Sequence, residues 1–415
     1  MATSIYASPH NEVVFKNNYS STLVVSVSER KEPKPADYLG QKLFEKERLS
    51  YVCVRSLDNT WYLDQDIPNV VETIKKAIRD SWASKVVIFG FSMGSFGALR
   101  IAASIDFDLV FLCAPVVTLD KTIESRWSSD YEQHYDAYLA LSGTLLPPRN
   151  NPRVVVVYDP ESHDAKHVEI LSSHAKIEEV LTPKADHLVM TYLKSAGVLG
   201  DVFRKVVYED DSLAGINSMI RRSQKTNKAY LTSLFFKLRH RPRLQRKVAA
   251  HLLQQFPEDE DVRLTQAVHL ARSGSLAEAA DLILRVTGPS PNKMVSVAVV
   301  RAVAFYAENG GKPEPMAKIV AALKSDRPRS RLVQLWFSRY LRYVKDYDAA
   351  FRSHEFYMKG DDFEAHAHME RGYIFERLDL PSLAEKEFVE AYHFAPNLPS
   401  AKEKYNMVLG RQAKA

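Results

Sequence analysis

The sequence predicts an α/β domain with a mainly parallel sheet, followed by an all-α domain of helical repeats. Up to about residue 208, short β-branched runs alternate with helical patterns, and this alternation indicates βαβ units. Beyond about residue 210 the strand signal ends, and helices follow one another with a break roughly every 34 residues. We therefore predict an α/β domain over 1–208, a basic helical linker over 209–256 and a helical-repeat domain over 257–415.

The composition limits the class of protein. With 415 residues, of which 46% are hydrophobic and 26% are charged, the chain can form two or three domains with sizeable cores. Cys53 and Cys113 both lie in apolar runs, so we expect buried, reduced thiols. The first residues lack a basic patch followed by an apolar stretch, and no apolar run approaches the roughly 18 residues of a membrane helix. We therefore expect a cytoplasmic protein without a transmembrane segment.

Six strands are predicted in the α/β domain. Most are apolar at nearly every position, as expected for strands that helices cover on both faces. Between the strands, apolar residues at helical spacing predict helices, for example over 68–82. The predicted strands are residues 22–28, 51–56, 85–89, 108–113, 153–158 and 176–181.

A serine lies in the tight turn after the third predicted strand. Residues 90–94, GFSMG, fit the pattern G-x-S-x-G and lie between that strand and a helix predicted over 95–105. On such a turn the Oγ of Ser92 projects above the carboxyl edge of the sheet, near the positive end of the helix. The N–H of Met93 can then bind an oxyanion, and a second donor is expected around Ser28 to Arg30, in the loop after the first predicted strand, which has no HGGG-like sequence. The alternative is that Ser92 is only a small residue that the tight turn requires and that it has no catalytic role.

A nucleophilic serine requires a base, and His187 occupies the expected place for it. This histidine follows the last predicted strand in a polar loop before a helix, which agrees with the chain order serine, acid, histidine. The other candidate histidines fit less well, because they fall between two strands or precede the sheet; they are His163, His167, His174 and His10.

Two aspartates after the fifth predicted strand are candidates for the acid that orients His187. Asp159 stands directly at the end of the strand, and we rank it first because its position is better fixed. Asp164 follows in the same segment and equally fits the N-cap of the next helix. Glu161 ranks third.

Together, the serine turn, the histidine loop and the acidic loop resemble the α/β-hydrolase superfamily, over residues 10–208. That resemblance implies an activity among those of esterases, lipases, thioesterases, peptidases and acyltransferases. The sequences NTWY (59–62), FSMGSFGAL (91–99) and ESRW (124–127) are also similar to bacterial hydrolase-like proteins linked to surface polysaccharide biosynthesis. The implied substrate is an ester or thioester, and an acylated glycan is one such substrate.

Three aromatic residues are candidates for substrate binding. Trp61, Tyr62 and Trp127 are predicted on loops beside a sheet edge, where exposed ring faces can stack on sugars. The alternative is packing in the core or in a lid. The sequence contains no H-E-x-x-H, C-x-x-C or EF-hand spacing and no glycine-rich nucleotide loop, so no metal or cofactor is expected.

The predicted linker carries concentrated positive charge. Residues 221–247 contain ten Lys and Arg residues and no Asp or Glu, whereas the net charge of the whole chain is +5. One interpretation is a solvated helical linker. The other is a patch that binds polysaccharide, lipid headgroups or nucleic acid, although no nucleic-acid motif accompanies it.

The second half resembles a tetratricopeptide-repeat array. Its last unit has the small, aromatic and proline positions of that pattern, at Gly372, Phe375, Ala384, Phe388, Ala391 and Pro396. Earlier units are recognised near 260–291, in 294–328 and around Tyr347 and Ala350. The resemblance implies a protein partner, because helical arrays of this kind bind peptides or protein surfaces. The alternative function for the whole chain is a non-catalytic hydrolase-like scaffold whose repeats and basic linker mediate assembly.

Overall fold

The structure is a computed structural model that describes residues 2–30, 37–120, 123, 137–138, 147–209, 213–288, 296–325, 331–358, 364–394 and 399–412. The chain divides into two compact units, of which the first ends at Ser233 and the second begins at Leu234. This division falls inside the predicted linker. The two units are called unit 1 and unit 2 below.

Among the described residues of unit 1, eight strands form one sheet in the order β1-β2-β4-β3-β5-β6-β7-β8. Every neighbouring pair from β4 to β8 is parallel, whereas β2 is antiparallel to both β1 and β4. The strands are β1 (Thr3–Ala7), β2 (Asn11–Lys16), β3 (Thr22–Val27), β4 (Ser50–Ser56), β5 (Lys85–Phe91), β6 (Leu109–Cys113), β7 (Arg153–Tyr158) and β8 (Ile177–Leu181). This mainly parallel sheet confirms the predicted class and fits an α/β-hydrolase-like fold.

The first two strands were not predicted, so the expectation of six strands is wrong. β1 is exposed at most of its positions and β2 is only partly buried, because both lie on the antiparallel side of the sheet. Their sequences therefore lack the continuous apolar pattern that marks the central strands β3 to β7.

Helices cover the sheet, and their apolar side chains pack with those of the strands in the core of unit 1. Phe44, Phe89, Phe111 and Phe203 bring their rings together at centroid distances of 5.2–6.4 Å. The same core includes Ile216 and Ile220, so the first helix of the predicted linker packs with the α/β unit. The helices are α1 (Gln41–Lys46), α2 (Ile67–Ser81), α3 (Met93–Ala102), α4 (Asp164–Ser172), α5 (Val189–Ser195), α6 (Leu199–Tyr208) and α7 (Ala214–Ser223), and α8 (Lys228–Lys237) begins in unit 1 and ends in unit 2.

Unit 2 is helical throughout its described residues. Consecutive helices pack in pairs, α10 on α11, α14 on α15 and α16 on α17, and α12 packs on both α10 and α14. The tetratricopeptide assignment stays a prediction. The helices are α9 (Pro242–Gln255), α10 (Glu260–Arg272), α11 (Leu276–Thr287), α12 (Val297–Glu308), α13 (Ala317–Ser325), α14 (Arg331–Tyr343), α15 (Tyr347–Met358), α16 (Glu364–Arg377), α17 (Pro381–Phe394) and α18 (Pro399–Gln412).

None of the described helices combines the length and the apolar character that a membrane-spanning helix requires.

Candidate active site

The turn between β5 and α3 holds Ser92 in an unusual backbone conformation. Its φ of 56° and ψ of −123° lie outside the regions that residues with a side chain normally adopt. The next strand holds this conformation: the Ser92 N–H donates to the carbonyl oxygen of Cys113 at 3.1 Å, and Ser95 Oγ donates to the same oxygen at 3.2 Å. Ser92 is therefore fixed at the carboxyl edge of the sheet.

Gly94 lets α3 begin close to the end of β3. A Cβ at this position would overlap the carbonyl oxygen of Val27 and come within 2.8 Å of the Ser28 carbonyl oxygen. No other residue type fits without movement of the backbone. The close approach places the first turn of α3, which begins with Met93, beside the loop after β3. N–H groups in a first turn have no partner within their own helix.

His187 lies between Ser92 and Asp164. Its Nε2 is 2.8 Å from Ser92 Oγ, and its Nδ1 is 2.9 and 3.2 Å from the two carboxylate oxygens of Asp164. Because the fully buried Asp164 carboxylate accepts hydrogen bonds, the Nδ1–H donates to it, and Nε2 is left to accept from the serine hydroxyl. The imidazole also stacks on Phe91, with ring centroids 5.8 Å apart. This chain of hydrogen bonds can remove a proton from Ser92.

Asp159 does not occupy the position for which it was ranked first. Its carboxylate is fully buried and accepts from the backbone N–H of Glu161 at 3.0 Å and from that of Asp186 at 2.8 Å. It therefore ties the loop that carries His187 to the end of β7. The ranking of Asp159 over Asp164 is therefore wrong. The carboxylate of Asp159 binds backbone N–H groups, whereas Asp164 is the first residue of α4, after the N-cap His163, and its carboxylate contacts His187.

The other candidate histidines make contacts away from Ser92. His10 Nδ1 is 2.6 Å from Asp58, and His174 Nδ1 is 2.9 Å from the Ile170 carbonyl oxygen. The buried His167 accepts at Nδ1 from the Val117 N–H at 3.3 Å, and His163 contacts the Ile123 carbonyl oxygen. Among these candidate histidines, His187 is the one whose side chain contacts Ser92.

Ser28 does not provide the expected second oxyanion donor. Its N–H donates to the carbonyl oxygen of Val54 at 3.0 Å, which continues the pairing of β3 with β4. Its Oγ lies 3.1 Å from Tyr62 Oη, and that hydroxyl donates to the Ser28 carbonyl oxygen at 2.8 Å. These hydrogen bonds anchor the start of the loop after β3. The N–H of Ser28 is therefore not available to a substrate.

Trp61 and Tyr62 are core residues, so the prediction that they bind substrate is wrong. Their exposed fractions are 1% and 0%. Trp61 packs edge-on against Phe96 at 6.1 Å, and the Tyr62 ring lies against Gly97, where a Cβ would overlap it. Neither ring face can stack on a sugar. Trp127, the third candidate, lies outside the described residues.

The two thiols are not alternative nucleophiles. Cys53 and Cys113 are free and buried, as predicted. Burial raises the pKa of Cys53 to about 12 and also raises the pKa of Cys113, so both stay protonated at neutral pH. Within the described residues, no group of three His, Cys, Asp or Glu side chains could hold a metal ion.

Sequence reasoning missed the roles of Phe91 and Tyr62. Phe91 is the variable residue before the serine in G-x-S-x-G. Its position next to Ser92 could have indicated that its ring contacts His187. Tyr62 anchors a loop 34 residues before it in the chain, and no local pattern indicates such a contact.

Comparisons with known proteins give distant similarities in fold. No protein-family model and no curated protein matches the sequence. A solved structure of the glycosylation-associated protein Gap123 complex from Streptococcus agalactiae has 14% identity and a TM-score of 0.40, covering 50% of this chain and 46% of that one. This chain thus spans less than half the length of that protein.

Two further solved structures are smaller proteins. A mutant capsule O-acetyltransferase of Neisseria meningitidis serogroup A in complex with CoA has 14% identity and a TM-score of 0.39, covering 49% of this chain and 93% of that one. An α/β serine hydrolase without a lid from Xanthomonas campestris has 14% identity and a TM-score of 0.33, with coverages of 51% and 96%.

Proposed function

We propose that unit 1 is a serine-dependent acyl-transfer enzyme with Ser92 as the nucleophile, His187 as the general base and Asp164 as the acid that orients the imidazole. The observation that carries the proposal is the hydrogen-bonded chain from Ser92 Oγ through His187 to a buried carboxylate. The positive φ of Ser92 supports it, because this backbone conformation points the hydroxyl away from the helix and toward a substrate.

The reaction proceeds by double displacement. Ser92 Oγ forms a bond to the acyl carbon of an ester or thioester while its proton passes to His187 Nε2. The bond from carbon to the leaving oxygen or sulfur then breaks, and Nε2 returns the proton to the leaving group. Water or an acceptor hydroxyl next attacks the acyl-serine with the same histidine as base, and releases Ser92.

The developing oxyanion requires hydrogen-bond donors at the same edge of the sheet. The Met93 N–H, in the first turn of α3, is the donor we propose, and the dipole of that helix adds to its effect. The second donor is proposed to come from Glu29 or Arg30, the residues after Ser28 in the loop following β3.

The finer features of the function are proposals from the sequence. The resemblance of residues 59–62 and 91–99 to polysaccharide-associated proteins favours an acylated bacterial surface glycan as donor or acceptor, in the cytoplasm. The tetratricopeptide-like helices would recruit a protein partner to the enzyme. The proposed domain limits remain 1–208, 209–256 and 257–415.

A fluorophosphonate probe tests the nucleophile directly. Ser92 is expected to be labelled in the native chain and to lose all labelling in Ser92→Ala, together with hydrolysis of p-nitrophenyl acetate. Ser104→Ala is the matched control, because Ser104 is an exposed serine just after α3, and this variant should react like the parent chain.

The alternative is the non-catalytic scaffold considered from the sequence. A folded native chain that neither reacts with the probe nor cleaves nitrophenyl esters, nitrophenyl thioesters or acetylated sugars would favour it. Labelling that persists in Ser92→Ala would contradict the assignment of the nucleophile.

A further inference from the structure

We infer that a cavity in unit 2 docks an acidic peptide segment with apolar anchor residues, contributed by a partner protein. The inference rests on the recruiting role proposed for unit 2 and not on the chemistry proposed for Ser92. The cavity has a volume of about 770 Å³ and is lined by side chains of α12, α14 and α16. Leu332, Leu335 and Met369 supply apolar walls, and Arg339 and Arg377 supply charge.

Arginines around the cavity are stacked on aromatic rings. Arg339 lies 5.2 Å from the Trp336 ring and 5.5 Å from the Phe305 ring, and Arg272 lies 4.6 Å from the same Phe305 ring. Arg342 lies 4.4 Å from the Tyr343 ring. Stacking holds each guanidinium plane in place. Arg342 already donates to Glu370 through two of its nitrogens, whereas Nε of Arg339 has no acceptor among the described residues.

One arginine that lines the cavity has a buried N–H group with no acceptor among the described residues, and that group is Nε of Arg339. Nη1 of Arg272 and Nε of Arg301 also have no acceptor there, but these two arginines do not line the cavity. Leaving a buried donor without an acceptor is unfavourable, so an external carboxylate bound beside Arg339 would stabilise this arginine.

The acidic groups of the cavity are already neutralised within the chain. Glu308 accepts from Arg339 at 3.2 Å, Glu370 accepts from Arg342 at 2.7 Å, and Glu376 accepts from Lys404 at 2.6 Å. Arg239 and Arg377 also line the cavity and are exposed. The charge that remains is positive and matches an acidic ligand.

Two features favour a peptide over an anionic polysaccharide. The faces of Phe305, Trp336 and Tyr343 toward the arginines are covered by guanidinium groups, which removes surface on which sugar rings could stack. The leucine and methionine walls match apolar side chains, which a polysaccharide lacks. The fitting segment therefore combines Asp or Glu with Leu, Met or Phe.

Selection from a random twelve-residue peptide display library on the full chain tests the inference. Enriched peptides should combine acidic and apolar residues, and one synthetic, C-terminally amidated representative should bind in fluorescence anisotropy. Arg339→Gln should weaken that peptide about tenfold, because it removes a charge-assisted contact. Arg377→Gln, at an exposed position where folding is not at risk, should weaken it about threefold.

Arg285→Gln is the matched control, since Arg285 is exposed on α11, pairs with Asp281 and does not line the cavity. It should leave the affinity unchanged. Failure of the library to yield a binder, enrichment of peptides without acidic residues, or equal binding to the Arg339 and Arg377 variants would overturn the inference. Heparin displacing the peptide from the parent chain but not from Arg339→Gln would instead assign the cavity to a polysaccharide. Fluorophosphonate labelling of Ser92 reports separately on the enzyme, so the two proposals fail independently.

Discussion

Buried carboxylates in unit 1 and buried arginines in unit 2 differ in whether their hydrogen-bonding groups have partners within the chain. In unit 1, the buried carboxylates of Asp159 and Asp164 each receive hydrogen bonds from groups of the same unit, and these bonds hold the loop and the ring of His187. In unit 2, Arg339 and Arg272 are stacked in place, yet they keep N–H groups without an acceptor among the described residues. The buried carboxylates beside His187 thus have their donors within unit 1, whereas the acceptor that we propose for Arg339 comes from a partner.

The largest expected effect separates the two carboxylates of unit 1. Asp164→Asn should lower kcat about a thousandfold or more, because an amide can donate to Nδ1 and favour the wrong tautomer of His187. Asp159→Asn is the matched variant, and it should lower kcat only about tenfold, since one amide oxygen still accepts from the loop. Steady-state hydrolysis of p-nitrophenyl acetate measures both. Equal losses would show that the two buried carboxylates do not have separate roles.

The close approach of α3 to β3 predicts the next effect. Gly94→Ala should destabilise unit 1 by about 3 kcal/mol, because its Cβ overlaps the Val27 carbonyl oxygen. Gly215→Ala is the control on α7, where a Cβ meets nothing within 4 Å, and it should be neutral or stabilising by about 0.5 kcal/mol. Urea unfolding curves compare the two variants. A Gly94→Ala protein as stable as the parent would contradict the packing described here.

A buried histidine predicts an acid sensitivity of unit 2. Burial lowers the pKa of His354 from 6.5 to about 4, and its Nε2–H donates to the Ala367 carbonyl oxygen at 2.8 Å. At a pH between these two values, His354 is protonated in the unfolded chain but neutral in the folded chain. The stability that neutral His354 contributes to the folded state is therefore fully present above pH 6.5 and is lost as the pH falls toward 4. Between pH 7.5 and pH 5 the loss should be about 2 kcal/mol.

Hydrogen exchange of α15 and α16 at the two pH values measures this loss within unit 2. His354→Gln should reduce the pH dependence, whereas the exposed control His240→Gln should retain it. An unchanged pH dependence in His354→Gln would assign the sensitivity to other groups.

The smallest expected effect concerns the support of the loop after β3. Tyr62→Phe removes the hydroxyl that donates to the Ser28 carbonyl oxygen and should destabilise unit 1 by about 1 kcal/mol. The exposed Tyr19→Phe is its control and should change nothing. Thermal unfolding provides the readout. Esterase activity should fall less than threefold, because Tyr62 does not face the substrate.

Local patterns predicted much of unit 1. Apolar runs located six of the eight described strands, and the signal is strongest in the central strands, which are covered on both faces. Strands β1 and β2 were missed because their exposed positions interrupt that signal. For the site, the G-x-S-x-G turn and the loop position pointed to Ser92 and His187, which the structure brings within hydrogen-bond distance.

Roles that depend on side-chain direction could not be predicted in this way. Trp61 and Tyr62 looked like surface aromatics of a loop, but both turn into the core, and Tyr62 packs on a glycine of α3. Asp159 and Asp164 lie five positions apart in the chain, and only the start of α4 at Asp164 directs that carboxylate to the imidazole.

The sequence by itself determined six of the eight described strands, the change from an α/β to a helical half, and the residue types available for acyl transfer. Spacing and apolar pattern suffice for these because they act between neighbours along the chain. The tertiary structure decided which aspartate meets His187, which aromatic rings are buried, and which arginines of unit 2 gather around one cavity. These outcomes depend on contacts between residues far apart in the chain, whose directions are set only when the elements pack together.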